Sequence, residues 1–139
     1  NLKYQMKADK IIDFSAKYII RDAGGTVLGA IKRKGLLSIW RATYLVFDAG
    51  DNEIGTIFEE NPWVKVLDSL VSNIPFLNMF VNPAYIAEIR GVKCFKLKKQ
   101  PAFFEGKFQL QKIADASAAD ENIILPGMVM LMIMNRQRG

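Results

Sequence analysis

The chain has 139 residues, of which half are apolar and 24% are charged, a balance that is typical of a folded globular protein and excludes a disordered one. This length fits one core, so we predict a single domain over residues 1–139. The chain has no histidine, which removes the commonest general base and metal ligand, and its one cysteine, Cys94, excludes an internal disulfide.

The formal net charge is +5, and the bases are clustered. Lys32, Arg33, Lys34 and Arg41 lie in a stretch without acids, and residues 90–112 hold seven bases against a single acid. Clusters of this kind attract anionic partners such as lipid head groups, nucleic acid or acidic protein surfaces. The alternative is that these lysines and arginines simply form solvated strand faces.

Residues 18–31 and 44–57 carry the same sequence pattern at an offset of 26. Both copies contain a β-branched and aromatic run, Asp-Ala-Gly, and a second apolar run, which predicts a β-hairpin. In this turn the aspartate accepts hydrogen bonds from backbone N–H groups and the glycine that follows adopts a positive φ. Gly29 and Gly55, inside the second strands, predict a bulge or a close approach of another backbone.

Residues 61–81 interrupt the strand pattern. Asn61-Pro62 is a typical helix start, and apolar residues at helical spacing, beginning with Trp63, predict a short helix over 62–73. The apolar stretch 76–81, which contains Phe76, Leu77 and Phe80, follows it. This stretch either caps one end of the fold or contacts a membrane or a protein partner.

Strict alternation of apolar and polar residues predicts further strands around residues 4–7, 85–90, 95–98 and 104–111. So many strands in a small domain favour a barrel or a sandwich. At the C-terminus, Pro126 is expected to open a helix that includes the apolar run 128–134. Because a helix that is apolar on every side must be surrounded, we expect the sheet to close around it.

The two hairpins, the basic segment 32–41 between them and the terminal apolar helix resemble the tubby C-terminal-like superfamily, in its LURP-one-related and phospholipid scramblase branches. The layout of residues 120–134 is similar to the scramblase C-terminus. The resemblance implies a mostly β fold, a closed antiparallel barrel of about twelve strands around a central hydrophobic C-terminal helix. It also implies lipid binding, since tubby domains bind phosphoinositides and scramblases are membrane lipid proteins.

We therefore expect a non-enzymatic module that docks on anionic lipid or phosphoinositide head groups. The head-group contacts would come from the basic strand faces, through Lys32, Arg33, Lys34, Arg41, Lys96 and Lys98. Apolar contact with a membrane or a partner would come from Trp63, Phe76, Leu77 and Phe80. The alternative is a structural or protein-interaction domain that uses residues 63–81.

Other chemistry finds little support in the sequence. Phe95 lies on the strand face opposite Lys96 and Lys98, which counts against stacking on nucleic-acid bases. Cys94 has no partner base, and the carboxylates of residues 48–53 form too short a run for a calcium loop. We predict no catalytic residue, metal or cofactor. No signal-peptide pattern is visible, so we expect a cytoplasmic protein that associates with membranes only peripherally.

Overall fold

The computed structural model of the chain describes residues 3–8, 16–35, 42–60, 84–100 and 107–136. Eight β-strands and one α-helix are formed by these residues. The strands are β1 (Tyr4–Ala8), β2 (Lys17–Asp22), β3 (Val27–Arg33), β4 (Thr43–Asp48), β5 (Glu53–Glu59), β6 (Ala84–Ile89), β7 (Val92–Gln100) and β8 (Lys107–Lys112). The helix α1 covers Ala118–Arg136.

The eight strands form one sheet in which each strand pairs antiparallel with the next along the chain, from β1 to β8. The two copies of the repeat are the hairpins β2–β3 and β4–β5, as the sequence predicts. Arg90 and Gly91, with φ of 50° and 80°, make the two-residue turn of the hairpin β6–β7. The sheet curls into a half-barrel, and α1 packs on its inner face against β2, β3 and β4.

The prediction of a closed barrel of about twelve strands is wrong. The described residues supply eight strands, and their order leaves β1 and β8 as the two edges of an open sheet. The number twelve came from the resemblance and not from the alternation pattern. The fully surrounded helix is also wrong, because the side chains of Val129 and Ile133 are 41% and 53% exposed. The helix predicted over 62–73 lies outside the described residues.

The C-terminal helix begins eight residues earlier than predicted, and Pro126 lies inside it. Ser117 caps the N-terminus of the helix. Its Oγ accepts a hydrogen bond from the N–H of Asp120 at 3.1 Å, and its carbonyl oxygen accepts one from the N–H of Glu121 at 2.9 Å. Ser-Ala-Ala-Asp is a helix-start signal of the capping-box type, which the sequence argument missed. Pro126 removes one backbone N–H from the middle of the helix but does not end it.

The core lies between the inner face of the sheet and one face of α1. Its fully buried side chains are Ile20, Ile31, Val46, Ile57, Leu97, Ile124 and Met128. Residues that are cross-strand partners share a face, so the paired register of Tyr18 with Ile31 and of Tyr44 with Ile57 puts both copies of the repeat into this core. Hydrophobic burial here is the main term that holds the helix to the sheet.

The turns of the repeat use their aspartates as predicted. Asp22 Oδ1 accepts the N–H of Thr26 at 2.8 Å, and Asp48 Oδ1 accepts the N–H groups of Gly50 and Asn52 at 2.9 Å. The glycine prediction is off by one residue. The positive φ is found after the shared glycine, at Gly25 (86°) in the first copy and at Asp51 (64°) in the second.

The strand glycines lie at bulges and close approaches, as predicted. A β-carbon on Gly29 would lie 2.4 Å from the Phe47 carbonyl oxygen, and one on Gly55 would lie 2.1 Å from that of Glu88. In each repeat hairpin the pairing register shifts two residues after the tyrosine of the first strand. The shift follows Ile20 in the first copy and Val46 in the second. The hairpin β6–β7 shifts at the same place, two residues after Tyr85. It is therefore a third structural copy, which sequence comparison within the chain did not show.

Candidate anion-binding surface

The two basic clusters predicted from the sequence lie at the same end of the sheet. In an antiparallel meander alternate strands run in the same direction, so β3 and β7 end together and β8 begins beside them. The bases gathered in this way are named here the basic end. They are Lys32, Arg33, Lys34, Lys96, Lys98, Lys99 and Lys107. The acids that the described residues place there are Glu59 and Glu60.

The opposite end of the half-barrel is acidic. It carries the turns of the repeat, the β6–β7 turn and the N-terminus of α1, and its acids outnumber its bases in the described part of the chain. The acids are Asp22, Asp48, Asp51, Glu53, Glu88, Asp115, Asp120 and Glu121, and the bases are Lys3, Arg21, Arg90, Lys93 and Lys112. The domain therefore has a charge difference along the strand direction.

Most of the basic end remains available to a ligand. Lys96 forms an ion pair with Glu60, with 2.5 Å between Nζ and Oε2. No ion pair among the described residues involves the other six bases. Lys34, Lys98 and Lys107 are exposed, and the remaining three are half-buried. An approaching anion would therefore meet cationic groups that need not give up an internal partner.

Several charged side chains of the acidic end form ion pairs with one another. Arg90 Nε lies 3.6 Å from Asp120 Oδ2, and Lys112 Nζ lies 2.9 Å from carboxylate oxygens of both Asp115 and Glu121. Hydrogen bonds to these two carboxylates raise the pKa of Lys112, and the same contact lowers the pKa of Asp115. These ion pairs hold the start of α1 against the sheet, and they leave fewer unpaired charged side chains at this end.

Lys17 and Lys32 face each other directly across β2 and β3. Like charges in this position destabilise a strand pair. The Lys17 ammonium turns away from Lys32: it forms an ion pair with Asp51 and lies 5.1 Å from the centre of the Phe47 ring. The structure thus relieves the repulsion through Lys17, and no ion pair within the described ranges involves Lys32.

The structure brings together five of the six predicted head-group residues: Lys32, Arg33, Lys34, Lys96 and Lys98. Their side chains do not share one face, since Arg33 pairs with inward-facing Tyr44 while Lys32, Lys96 and Lys98 lie on the outer face. The sixth, Arg41, lies outside the described residues, as do Trp63, Phe76, Leu77 and Phe80. Lys99 and Lys107 were not predicted as head-group residues; Lys99 lies near the end of β7, and Lys107 begins β8, which pairs with β7.

A cavity of about 390 Å³ opens beside the N-terminus of α1 and is lined in part by Arg90, Cys94, Ser117 and Asp120. The Cys94 thiol is buried and donates to the Val92 carbonyl at 3.3 Å. Burial raises the pKa of this thiol, so it stays protonated and a poor nucleophile. Of the charged groups that line the cavity, Arg90 and Asp120 pair with each other, and Asp115 pairs with Lys112.

The carboxylates of the second repeat turn serve the turn itself. Both carboxylate oxygens of Asp48 accept from the Asn52 side-chain amide at 3.1 Å, and hydrogen bonds from Asn52 lower the pKa of Asp48. Asp51 is held by Lys17. Across the described ranges, no three cysteine, aspartate or glutamate residues are placed to hold a metal ion together.

Among the helices of the described residues, none has the length and apolarity needed to span a membrane. No protein-family model matches the chain, and neither the curated proteins nor the solved structures compared with it contain a similar one. The resemblance to the tubby C-terminal-like superfamily therefore stays a prediction, and function has to be argued from the geometry.

Proposed function

We propose that this domain is a non-enzymatic binding module that docks its basic end on an anionic membrane surface. The observation that supports the proposal is that six bases, which form no ion pair with any described residue, lie at one end of the half-barrel, opposite an acidic end. A membrane with negative surface potential attracts one end of such a molecule and repels the other. The charge difference therefore orients the domain as well as binding it.

The size of the attraction suits reversible binding. Each lysine or arginine near an anionic leaflet contributes about 1 kcal/mol, so six of them give on the order of 5 kcal/mol. Screening shortens the reach of these charges to about 10 Å at ~0.1 M salt. Binding should consequently be weak, fast and sensitive to ionic strength.

The side chains at the basic end favour a lipid surface over nucleic acid. Single-stranded nucleic-acid binders need exposed aromatic rings on which bases stack. No aromatic side chain of the described residues is exposed, and Phe95 is only 4% exposed on the inner face. Ammonium groups with no exposed aromatic ring among the described side chains fit a surface of anionic head groups.

The ratio of lysine to arginine at the basic end indicates which property of the lipid surface is recognised. Five of these six bases are lysines, which act as point charges, and Arg33 is the one among the six whose guanidinium is able to bind a phosphate with two parallel hydrogen bonds. We therefore propose recognition of surface charge density, with phosphatidylserine as the probe, and not selection of one phosphoinositide.

Vesicle flotation tests this proposal. The full chain is mixed with vesicles of phosphatidylcholine alone, with vesicles that also contain phosphatidylserine, and with vesicles that contain a phosphoinositide at equal total charge. We expect binding to both anionic preparations at low salt, loss of binding at high salt, and none to phosphatidylcholine. Equal binding to neutral vesicles, or binding that salt does not change, would contradict the proposal.

A further inference from the structure

The two edge strands of the half-barrel are tied to neighbouring residues of α1. Tyr4 of β1 donates its hydroxyl to Asn122 Oδ1 at 2.8 Å, and Lys112 of β8 pairs with Glu121 at 2.9 Å. Successive residues of a helix stand about 100° apart around its axis. The edges β1 and β8 therefore approach the helix from two directions about 100° apart, with a slot between them.

The face of α1 that looks into this slot is apolar and partly open to solvent. Viewed along the helix axis, the side chains of Leu125, Val129 and Met132 point into the sector between Glu121 and Asn122. Ile133 points just outside this sector, on the side of Asn122. Val129 is 41% exposed and Ile133 is 53% exposed, while Leu125 and Met132 are half-buried. Leu110, on the inner face of the edge strand β8, is 39% exposed. These five side chains are named the helix stripe.

Unpaired backbone groups flank the helix stripe. Within the described residues, β1 pairs only with β2 and β8 pairs only with β7, so each presents one row of N–H and C=O groups to the slot. An apolar floor between two strand edges suits an extended segment, because a strand satisfies the backbone groups at the side while its alternate side chains cover the floor.

The composition of the edges indicates the charge of that segment. Neither edge strand contains an acid: β1 reads Tyr-Gln-Met-Lys-Ala and β8 reads Lys-Phe-Gln-Leu-Gln-Lys. The outer face of β8 carries Lys107, Gln109 and Gln111, beside Lys96 and Lys98 of β7. An acidic outer face would complement these lysines, and a second copy of either edge would repel them.

We propose that the slot between β1 and β8 binds an extended segment of a partner protein, which adds as a strand to the free edge of β8. The segment alternates apolar side chains, which cover Leu110, Leu125 and Val129, with acidic side chains, which face outward beside Lys107. This surface shares Lys107 with the basic end, but the proposed strand addition does not depend on membrane docking.

The test uses the full chain and a synthetic eight-residue peptide of alternating valine and glutamate. Hydrogen exchange of the β8 amides is measured in the chain alone and in the presence of this peptide. A third measurement uses a peptide of the same composition in which the valines are consecutive. Of the two peptides, we expect only the alternating one to slow exchange in β8.

Val129→Asp should weaken the binding of this peptide at least about tenfold, because a buried valine contact is lost. Ala119→Asp, exposed on α1 outside the helix stripe, is the matched control and should bind normally.

Several results would overturn the proposal. They are equal protection by the two peptides, no protection by either, Val129→Asp binding like the parent chain while circular dichroism shows both folded, and protection in the free chain of those β8 amides that point away from β7. Self-association that Val129→Asp abolishes would also overturn it, by assigning the slot to a second copy of this chain.

Discussion

Gly127 and Ile31 meet where α1 crosses the second strand of the first hairpin. A β-carbon on Gly127 would lie 1.9 Å from Ile31 Cδ1 and 3.6 Å from Ile57 Cδ1. Ile31 and Ile57 are equivalent residues of the two copies, and both are fully buried. The absence of a side chain at residue 127 thus lets the helix lie directly on both copies of the repeat.

Gly127→Ala should destabilise the domain by about 1–3 kcal/mol, because the added methyl overpacks the core by more than the gain in helix propensity can offset. Ile31→Val removes the clashing Cδ1 atom. The double variant should therefore lose less stability than the sum of the two single variants. Urea unfolding of the four proteins measures this coupling, and strict additivity would contradict the contact.

Gly29→Ala and Gly55→Ala should each cost about 3 kcal/mol or more. In both cases the new β-carbon meets a carbonyl oxygen of the neighbouring strand, at 2.4 Å and 2.1 Å, and backbone cannot move aside as a side-chain end can. Gly35→Ala is the control, since no described residue other than its chain neighbours has an atom within 4 Å of the position that its added methyl would take, and its stability should stay within about 0.5 kcal/mol of the parent. Urea unfolding measures all three variants. Mild effects at residues 29 and 55 would mean that the bulges are adaptable.

The sequence predicted the repeat hairpins, the aspartate turns and the crowded glycines because these features rest on local backbone chemistry. It did not predict the open sheet. Whether edges pair depends on strand number and curl, which alternation does not encode. It placed the bases in two separate clusters, and only the strand order brings Arg33 and Lys98 to one end. The third hairpin escaped notice because Arg90-Gly91 makes a two-residue turn in place of Asp-Ala-Gly.

Ser117→Ala should destabilise the domain by about 1 kcal/mol, because the N–H of Asp120 loses the hydroxyl that accepts its hydrogen bond. Ser117→Asp keeps a capping oxygen and should retain most of the stability. Thermal unfolding followed at helical wavelengths compares the three proteins. An alanine variant as stable as the parent would show that the ion pairs of Asp120 and Glu121 alone fix the start of α1.

The Cys94 thiol should react with a thiol reagent at least about tenfold more slowly in the folded chain than in urea, because only local opening exposes it. Its raised pKa in the folded state stabilises the fold below the ordinary pKa of 9.0, and this contribution is lost as the pH rises through the folded value. Cys94→Ala should therefore lose less stability than the parent between neutral and strongly alkaline pH. Fast labelling of the native chain would contradict the burial of the thiol.

The most direct test of the basic end compares two double variants of equal charge change in the phosphatidylserine flotation experiment. Lys34→Glu with Lys98→Glu alters exposed bases of the basic end, and Lys3→Glu with Lys93→Glu alters exposed bases of the acidic end. Four charge units near the membrane correspond to about 4 kcal/mol, so the first variant should lose binding at low salt. The second should keep it. Equal loss in both variants would contradict the account, since net charge alone would then govern binding.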